Sequence, residues 1–184
     1  SYEIIHCKSD EEAVSAAIML VRAGKAHLIM KGLVSTDVYM RAILNKETGL
    51  LPKGNLLTHI TLLKNPNYKK PLIISDVAII PLPNLEQKRQ MLNYLIDVAH
   101  KLGISTPKVA FIAATEKVIE KMPACADANQ LKLLWEKGQF PESFCDGPMA
   151  LDVAIDKESA QIKNIDSEVA GDADCLLFPN IESG

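Results

Sequence analysis

Apolar residues along the chain recur at two different spacings, and each spacing predicts a kind of element. Helical spacing behind a capping residue predicts helices that begin after Ser9, Ser35 and Asn84 and end near Gly24, Leu44 and Gly103. Weaker patterns of the same kind predict helices over 115–122, 127–137 and 152–160. Short apolar runs predict strands over 27–30, 58–64, 71–75, 108–113, 143–145 and 175–178.

Predicted strands alternate with predicted helices over the whole chain, and several strands are continuous apolar runs. Strands of a parallel sheet have this composition because helices cover both of its faces. The pattern therefore predicts an α/β fold of three layers, α/β/α, with a largely parallel sheet. The polar loop 45–55, which contains Gly49, Pro52 and Gly54, is the predicted domain boundary.

Composition narrows the classes of function. The 184 residues carry a net charge of −3 without a run of basic residues, which argues against nucleic acid as a partner. No apolar run approaches the roughly 20 residues that a membrane span needs, and no signal-peptide pattern opens the chain. The four cysteines match neither a zinc site nor a redox pair. We therefore expect a reduced, cytoplasmic protein that contacts neither membrane nor nucleic acid.

The turn over 31–36 is the first candidate binding site. It follows a predicted strand and opens a helix, and it supplies Lys31 as a cation and Ser35 and Thr36 as hydroxyls beside Gly32. Arg41, on the same predicted helix, is suited to phosphate or carboxylate. The alternatives are an ordinary turn with an N-cap serine and a surface ion pair between Arg41 and Asp37.

Further candidates lie where other strands begin or end. His59 begins a strand and Asp76 follows one, although a structural histidine and an Asx turn are the alternatives. The segment Asp146-Gly147-Pro148 is interpreted as a strand end that turns into a helix, with Pro148 at the first helical position. The free N–H groups of such a helix would attract an anion.

Several kinds of catalytic site lack their motif in this sequence. Asp146, Asp152, Asp172 and Asp174 have no metal-ligand spacing, so we expect no metal site. The glycines form neither a dinucleotide-binding fingerprint nor a phosphate-binding loop, and no G-x-S-x-G is present.

A series of ordered segments resembles the phosphate acetyl/butyryltransferase family, most closely its phosphate butyryltransferase branch. The similarity covers essentially the whole chain and is carried by the segments 30–36, 41–47, 57–59, 83–88, 99–104, 121–124, 146–152 and 169–184. An ordered series of this kind is far more specific than any one of its members.

The resemblance implies an acyltransferase. It transfers a short acyl group, butyryl or branched-chain, between coenzyme A and inorganic phosphate, giving an acyl phosphate and CoA without a tightly bound cofactor. The family fold implies a homodimer of isopropylmalate dehydrogenase-like subunits, each with two subdomains and a cleft between them. Residues 1–53 would be part of the first domain and 54–184 most of the second.

The resemblance also implies which residues bind substrate. The turn 31–36 would line the cleft, Arg41 would contact phosphate or CoA, and Gly171 would belong to the binding set with the candidates named above. The family's catalytic Ser-Arg pair and its proposed general-base Asp would lie beyond Gly184, and the usual N-terminal region is missing too. We therefore expect residues 1–184 alone to be inactive, with no catalytic residue assigned. The loop 76–80 is less polar than in the butyryltransferases.

Two alternatives stay open at this point. One is a decarboxylating dehydrogenase of the same fold superfamily, which would need metal-binding aspartates and a nicotinamide site. The other is a non-catalytic domain of this fold that binds CoA or a phosphorylated ligand, or serves assembly.

Overall fold

Two units, divided between Asn55 and Leu56, make up the computed structural model, which describes residues 2–184. The first unit holds the helices α1 (Asp10–Arg22) and α2 (Thr36–Ile43). Ser9 and Ser35 are their N-caps, and each hydroxyl accepts a backbone N–H from the first helical turn. The predicted starts of both helices are confirmed, while the assignment of the units to the two family domains stays a prediction.

The strand predicted over 27–30 is wrong, because this segment is irregular. Leu28 and Met30 are 74% and 84% exposed. A strand exists only where a neighbouring strand completes its backbone hydrogen bonds, and residues 2–55 of the structure contain no other strand. The apolar run is therefore irregular and unpaired.

The second unit is a five-stranded sheet with helices on both faces. The strands lie in the order β1-β2-β5-β3-β4, with β1 antiparallel to β2 and the other neighbours parallel. The predicted largely parallel sheet is confirmed. The elements along the chain are β1 (Thr61–Leu63), β2 (Leu72–Ser75), α3 (Leu85–Lys101), β3 (Lys108–Ile112), α4 (Pro123–Glu136), β4 (Phe144–Met149), α5 (Leu151–Ile155), α6 (Lys157–Ile162) and β5 (Cys175–Leu177).

Alternate residues of the central strands face opposite layers of the core. Val109 and Phe111 pack in the cluster that contains α3 and α4, whereas Ala110 and Ile112 pack in the cluster that contains α5 and α6. All four are buried, as expected for strands covered by helices on both faces. The second unit therefore has the predicted three layers.

The helix α3 begins at a complete capping box. Asn84 accepts the N–H of Gln87, and the Gln87 side chain accepts the N–H of Asn84, both at 2.9 Å. Met91, Leu92 and Leu95 are fully buried on its predicted apolar face. Leu102, predicted to lie on that face, follows the end of the helix and is exposed.

Three helix predictions are corrected by local chemistry. Residues 115–122 form no helix: the Thr115 hydroxyl accepts the N–H of Lys117 in a turn, and Pro123 disfavours helical angles at the residue before it. Pro123 occupies the first turn of α4, so that helix begins four residues before the predicted start. The helix predicted over 152–160 is divided at Asp156, which caps α6.

Gly147 and Pro148 lie inside a strand rather than at a helix start, so that prediction is wrong. Both are buried in β4, and α5 begins only at Leu151. Between its pairs with Asp146 and Met149, β3 advances two residues while β4 advances three. This bulge moves Met149 to the opposite face from Cys145. A Cβ on Gly147 would lie 2.7 Å from the carbonyl oxygen of Phe111, so only glycine fits this close approach.

Gly171 lies four residues before β5, at the amino edge of the sheet. Its φ is +69°, and its N–H donates to the carbonyl of Val153 at 2.7 Å. A Cβ there would lie 2.6 Å from the Cα of Lys157. Both the backbone angle and the contact therefore require glycine.

We predict that Gly171→Ala lowers the free energy of unfolding more than Gly103→Ala. Both glycines have positive φ, but a Cβ on Gly103 meets open space. Alanine in this conformation costs about 1–2 kcal/mol at either position, and overpacking adds about 1–3 kcal/mol at Gly171. Urea unfolding of the two variants tests the difference. Equal losses would contradict the packing explanation.

Candidate functional site

The carboxyl edge of the sheet is where a ligand site is expected. The parallel strands β2, β5, β3 and β4 all end there, and ligands of open α/β sheets bind at that edge. Since β1 runs antiparallel to β2, the residues just before β1 lie at the same edge. This brings His59, which precedes β1, next to Asp76, which follows β2.

The carboxylate of Asp76 is buried and fully hydrogen bonded. Only 1% of the residue is exposed. Its Oδ2 accepts the hydroxyl of Thr58 at 2.6 Å and the N–H of His59 at 3.1 Å. Its Oδ1 accepts the N–H groups of Ala78 and Ile79, both at 2.8 Å. Asp76 therefore fixes two segments, the approach to β1 and the loop after β2.

The hydrogen bonds decide the charge of Asp76. Burial raises the pKa of a carboxyl group, but the four donors outweigh burial and hold the pKa of Asp76 below its ordinary value. The carboxylate is thus ionised at neutral pH. The Asx turn, which the sequence left as an alternative, is present through the bond to Ala78.

The side chain of His59 is half-buried at this edge. Its Nδ1 lies 3.2 Å from the hydroxyl of Thr61. Within residues 2–184, Nε2 has no hydrogen-bond partner. His59 is therefore held at the backbone and at one ring nitrogen, and the other nitrogen is available to a ligand.

A group of ion pairs at the same edge was missed by the sequence. The Nζ of Lys163 lies 3.1 Å from Glu116 and 3.1 Å from Asp152, and Glu116 also accepts the N–H of Ala150. Burial raises the pKa of Glu116, but these bonds outweigh it and the pKa is lowered. Lys163 is 47 residues from Glu116, so no local motif relates the two.

A second ion pair links the helices α3 and α4 behind this edge. The buried Nζ of Lys88 lies 2.7 Å from Asp127. Phe178 and Pro179, which follow β5, line the small cavity beside it. The sequence carried no signal for this pair either, since the two residues are 39 positions apart.

The candidates Asp146, Gly147, Pro148 and Gly171 are not brought to Asp76. Asp146 forms an ion pair of 2.7 Å with Lys132, and its two neighbours are buried in β4. Gly171 lies at the opposite edge of the sheet. The free helical N–H groups expected after Asp146 are therefore not where the sequence placed them.

In the first unit, the turn before α2 brings Lys31, Gly32, Ser35 and Thr36 together. The Nζ of Lys31 donates to the carbonyl of Val34 at 2.7 Å, and all four residues are exposed.

Arg41 lies further along α2. It pairs with Asp37 one turn earlier, and both side chains are largely exposed, at 76% and 73%. The surface ion pair that the sequence left as an alternative is present.

A charged cluster of a different kind lies at the amino edge of the sheet. Asp172 accepts from Lys69 at 2.6 Å, from Lys108 at 2.8 Å and from Lys70 at 3.2 Å. Burial raises the pKa of Asp172, but the three lysines outweigh burial and hold the pKa far below its ordinary value. Asp174 also pairs with Lys70 at 2.7 Å and Glu168 with Lys108 at 3.9 Å, so three carboxylates balance the three lysines and the cluster stabilises the sheet.

Neither a metal cluster nor a spanning helix is seen in residues 2–184. Nowhere in this range do three His, Cys, Asp or Glu side chains group as metal ligands. None of its helices is both long and apolar enough to cross a bilayer.

The sequence pattern of the phosphate acetyl/butaryl transferase family matches residues 3–184. The chain belongs to this family. Its similarity to a phosphate butyryltransferase from Clostridium acetobutylicum is 40% identity over 183 residues, which are 100% of the chain and 60% of that protein. A phosphate acetyltransferase from Thermotoga maritima is 38% identical over 181 residues, 98% of the chain and 61% of that protein.

Two solved structures share this fold. A branched-chain phosphotransacylase from Enterococcus faecalis V583 superposes with a TM-score of 0.90 at 28% identity, over 100% of this chain and 65% of that one. A phosphotransacetylase from Streptococcus pyogenes shares the fold, with a TM-score of 0.75 at 23% identity over 94% of this chain and 52% of that one. The chain thus spans about 60% of the length of its curated relatives. The dehydrogenase and the non-catalytic domain are not favoured by these matches.

We predict that Asp172→Asn weakens the acid dependence of stability in this phosphate acetyl/butaryl transferase chain. A depressed folded pKa stabilises the fold above the unfolded value, 3.8, and this contribution is lost as the pH falls below it toward the folded pKa. Urea unfolding between pH 7 and pH 3 should therefore show a shallower loss for the variant. An unchanged slope would show that the lysine cluster does not couple to folding.

Proposed function

We propose that the protein is a phosphotransacylase that transfers a butyryl or branched-chain acyl group between coenzyme A and inorganic phosphate. The observation that carries this proposal is the 40% identity to a phosphate butyryltransferase across all of this chain. The superposition on a branched-chain phosphotransacylase supports the same acyl class. An isopropylmalate dehydrogenase-like arrangement of two subdomains, a homodimer and a cytoplasmic location are part of the proposal.

The reaction is a displacement at a thioester carbonyl. An oxygen of phosphate attacks the carbonyl carbon, the C–S bond breaks, and the sulfur leaves as the CoA thiolate, which takes up a proton. The products are an acyl phosphate and CoA, and the reverse reaction follows the same path. No redox step or tightly bound cofactor is needed for this exchange.

Cationic and N–H donors are what this chemistry requires from the protein. They bind the phosphate and offset the negative charge that grows on the carbonyl oxygen. Holding both substrates together also replaces a bimolecular encounter with a local one. We assign the phosphate-binding role to the exposed turn Lys31–Thr36 and to Arg41, whose guanidinium forms a bidentate fork.

We predict that the full-length gene product releases CoA from butyryl-CoA only when phosphate is present. Phosphate is the acyl acceptor in the proposed reaction, so the thiol cannot leave without it. A thiol-reactive dye measures CoA release with and without phosphate, and acetyl-CoA and isobutyryl-CoA serve as comparison substrates. Release that is independent of phosphate would identify a thioesterase and overturn the proposal.

We predict that Arg41→Ala lowers kcat/KM at least tenfold in the full-length gene product. Tenfold corresponds to about 1.4 kcal/mol of lost transition-state binding. Loss of the exposed pair with Asp37 should change stability by only about 0.5 kcal/mol or less.

Asp37→Ala is the matched control, because it breaks the same ion pair and leaves the guanidinium in place. Steady-state kinetics and thermal melts of both variants should separate the two roles. Equal kinetics for Arg41→Ala and Asp37→Ala would show that Arg41 serves only the surface pair.

A further inference from the structure

We propose that Asp76 is a positioning residue that presents Nε2 of His59 to a phosphoryl oxygen of a substrate. The inference rests on the phosphotransacylase function proposed above and assigns a role within it.

Asp76 itself has no capacity left for a ligand. An ionised carboxylate offers about four acceptor sites, and four donors from Thr58, His59, Ala78 and Ile79 use them. Its negative charge would also repel a phosphate. Asp76 can therefore act on a ligand only through the segments that it fixes, the approach to β1 and the loop after β2.

The segment before β1 is fixed by hydrogen bonds to Asp76 and by packing against the core. Asp76 accepts the N–H of His59 and the hydroxyl of Thr58, and the same hydroxyl lies 3.2 Å from Oγ of Ser75. Ile60 packs against the core formed with α3 and α4. Because successive side chains of an extended chain point to opposite sides, Ile60 directs the ring of His59 away from that core.

One nitrogen of the His59 ring, Nε2, is available to a ligand. Its Nδ1 lies 3.2 Å from Thr61 Oγ1, and Nε2 is without a hydrogen-bond partner in the region from residue 2 to residue 184. When the Thr61 hydroxyl donates to Nδ1, the ring proton resides on Nε2, which is the donor that a phosphoryl oxygen requires. The half-buried position makes such a bond stronger than one in open water.

Two substrates of the proposed reaction carry phosphoryl oxygens, and kinetics distinguish them. One is inorganic phosphate, with the acyl phosphate of the reverse reaction, and the other is the phosphate portion of CoA. A bond to the first changes KM for phosphate, and a bond to the second changes KM for butyryl-CoA. The proposal expects one of these two KM values to rise, and the same one to rise in variants of His59 and of Asp76.

The test compares variants of the full-length gene product in the CoA-release assay. His59→Phe keeps a ring but removes both nitrogens, and we expect one of the two KM values to rise at least tenfold. His59→Gln retains an amide donor near the position of Nε2 and should restore most of that loss. Asp76→Asn should raise the same KM, because an amide nitrogen in place of Oδ2 opposes the N–H of His59, whereas the Thr58 hydroxyl can rotate to accept from it.

Coupling between the two residues separates positioning from general stability. If Asp76 acts through His59, adding Asp76→Asn to His59→Phe should raise that KM by less than a further twofold. Asp174→Asn is the control, since its buried carboxylate accepts the N–H of Lys108 at the other edge of the sheet. The control should lower the melting temperature without changing either KM. If Asp76→Asn does not fold, Thr58→Val replaces it, because it removes one donor and leaves the three backbone bonds.

The outcomes that would overturn the inference are specific. Unchanged KM values in His59→Phe would overturn it. So would a double variant whose KM rises by the product of the two single-variant effects, because Asp76 would then act independently of His59. Failure of the proposed function would look different, because the wild-type protein itself would then show no phosphate-dependent release of CoA.

Discussion

Asp174 is the residue that joins the three central strands of the second unit. Its carbonyl accepts the N–H of Ile73 at the start of β2, and its own N–H donates to the carbonyl of Lys108 at the start of β3. Its side chain accepts the N–H of Lys108 and an ion pair from Lys70. Because β5 lies between β2 and β3, these bonds set the register of both neighbours at once. The burial of alternate residues on the two faces depends on that register.

Asp172 at the amino edge of the sheet and Asp76 at its carboxyl edge are satisfied in different ways. At the amino edge, three lysines surround Asp172, and Asp174 and Glu168 supply the other two negative charges that balance them. At the carboxyl edge, the carboxylate of Asp76 is satisfied by Thr58 and by backbone N–H groups, which carry no net charge. The ion pairs of Asp172 hold strands together. The hydrogen bonds to Asp76 fix two loops and leave neighbouring side chains free for other partners.

Local chemistry explains which parts of the fold the sequence could predict. Asn84 and Gln87 form a capping box that is complete within four residues, so α3 could be located without its partners. The buried strands could also be predicted, because a continuous apolar run lies within a few neighbouring residues. The run at 27–30 shows the limit, because a strand also needs a neighbour, and an apolar run does not say whether one exists.

The candidate site was less predictable because its contacts are long-range. His59 and Asp76 were singled out individually, but the hydrogen bond between them depends on β1 running antiparallel to β2. Lys163 and Glu116 meet only because separate strands end at one edge. At Gly147 and Pro148, a pair typical of turns remains in the strand, since a bulge in β4 accommodates it. The substrate roles of these residues stay predictions.

The position of β5 has a consequence for synthesis on the ribosome. Among residues 2–184 it follows the other four strands in sequence, yet it occupies the centre of the sheet. While the nascent chain is shorter than about residue 177, β2 and β3 each have an exposed edge that faces an empty central position. The sheet cannot close until β5 has emerged, and nascent chains that carry β2 and β3 without β5 are the species most prone to aggregate or to need a chaperone.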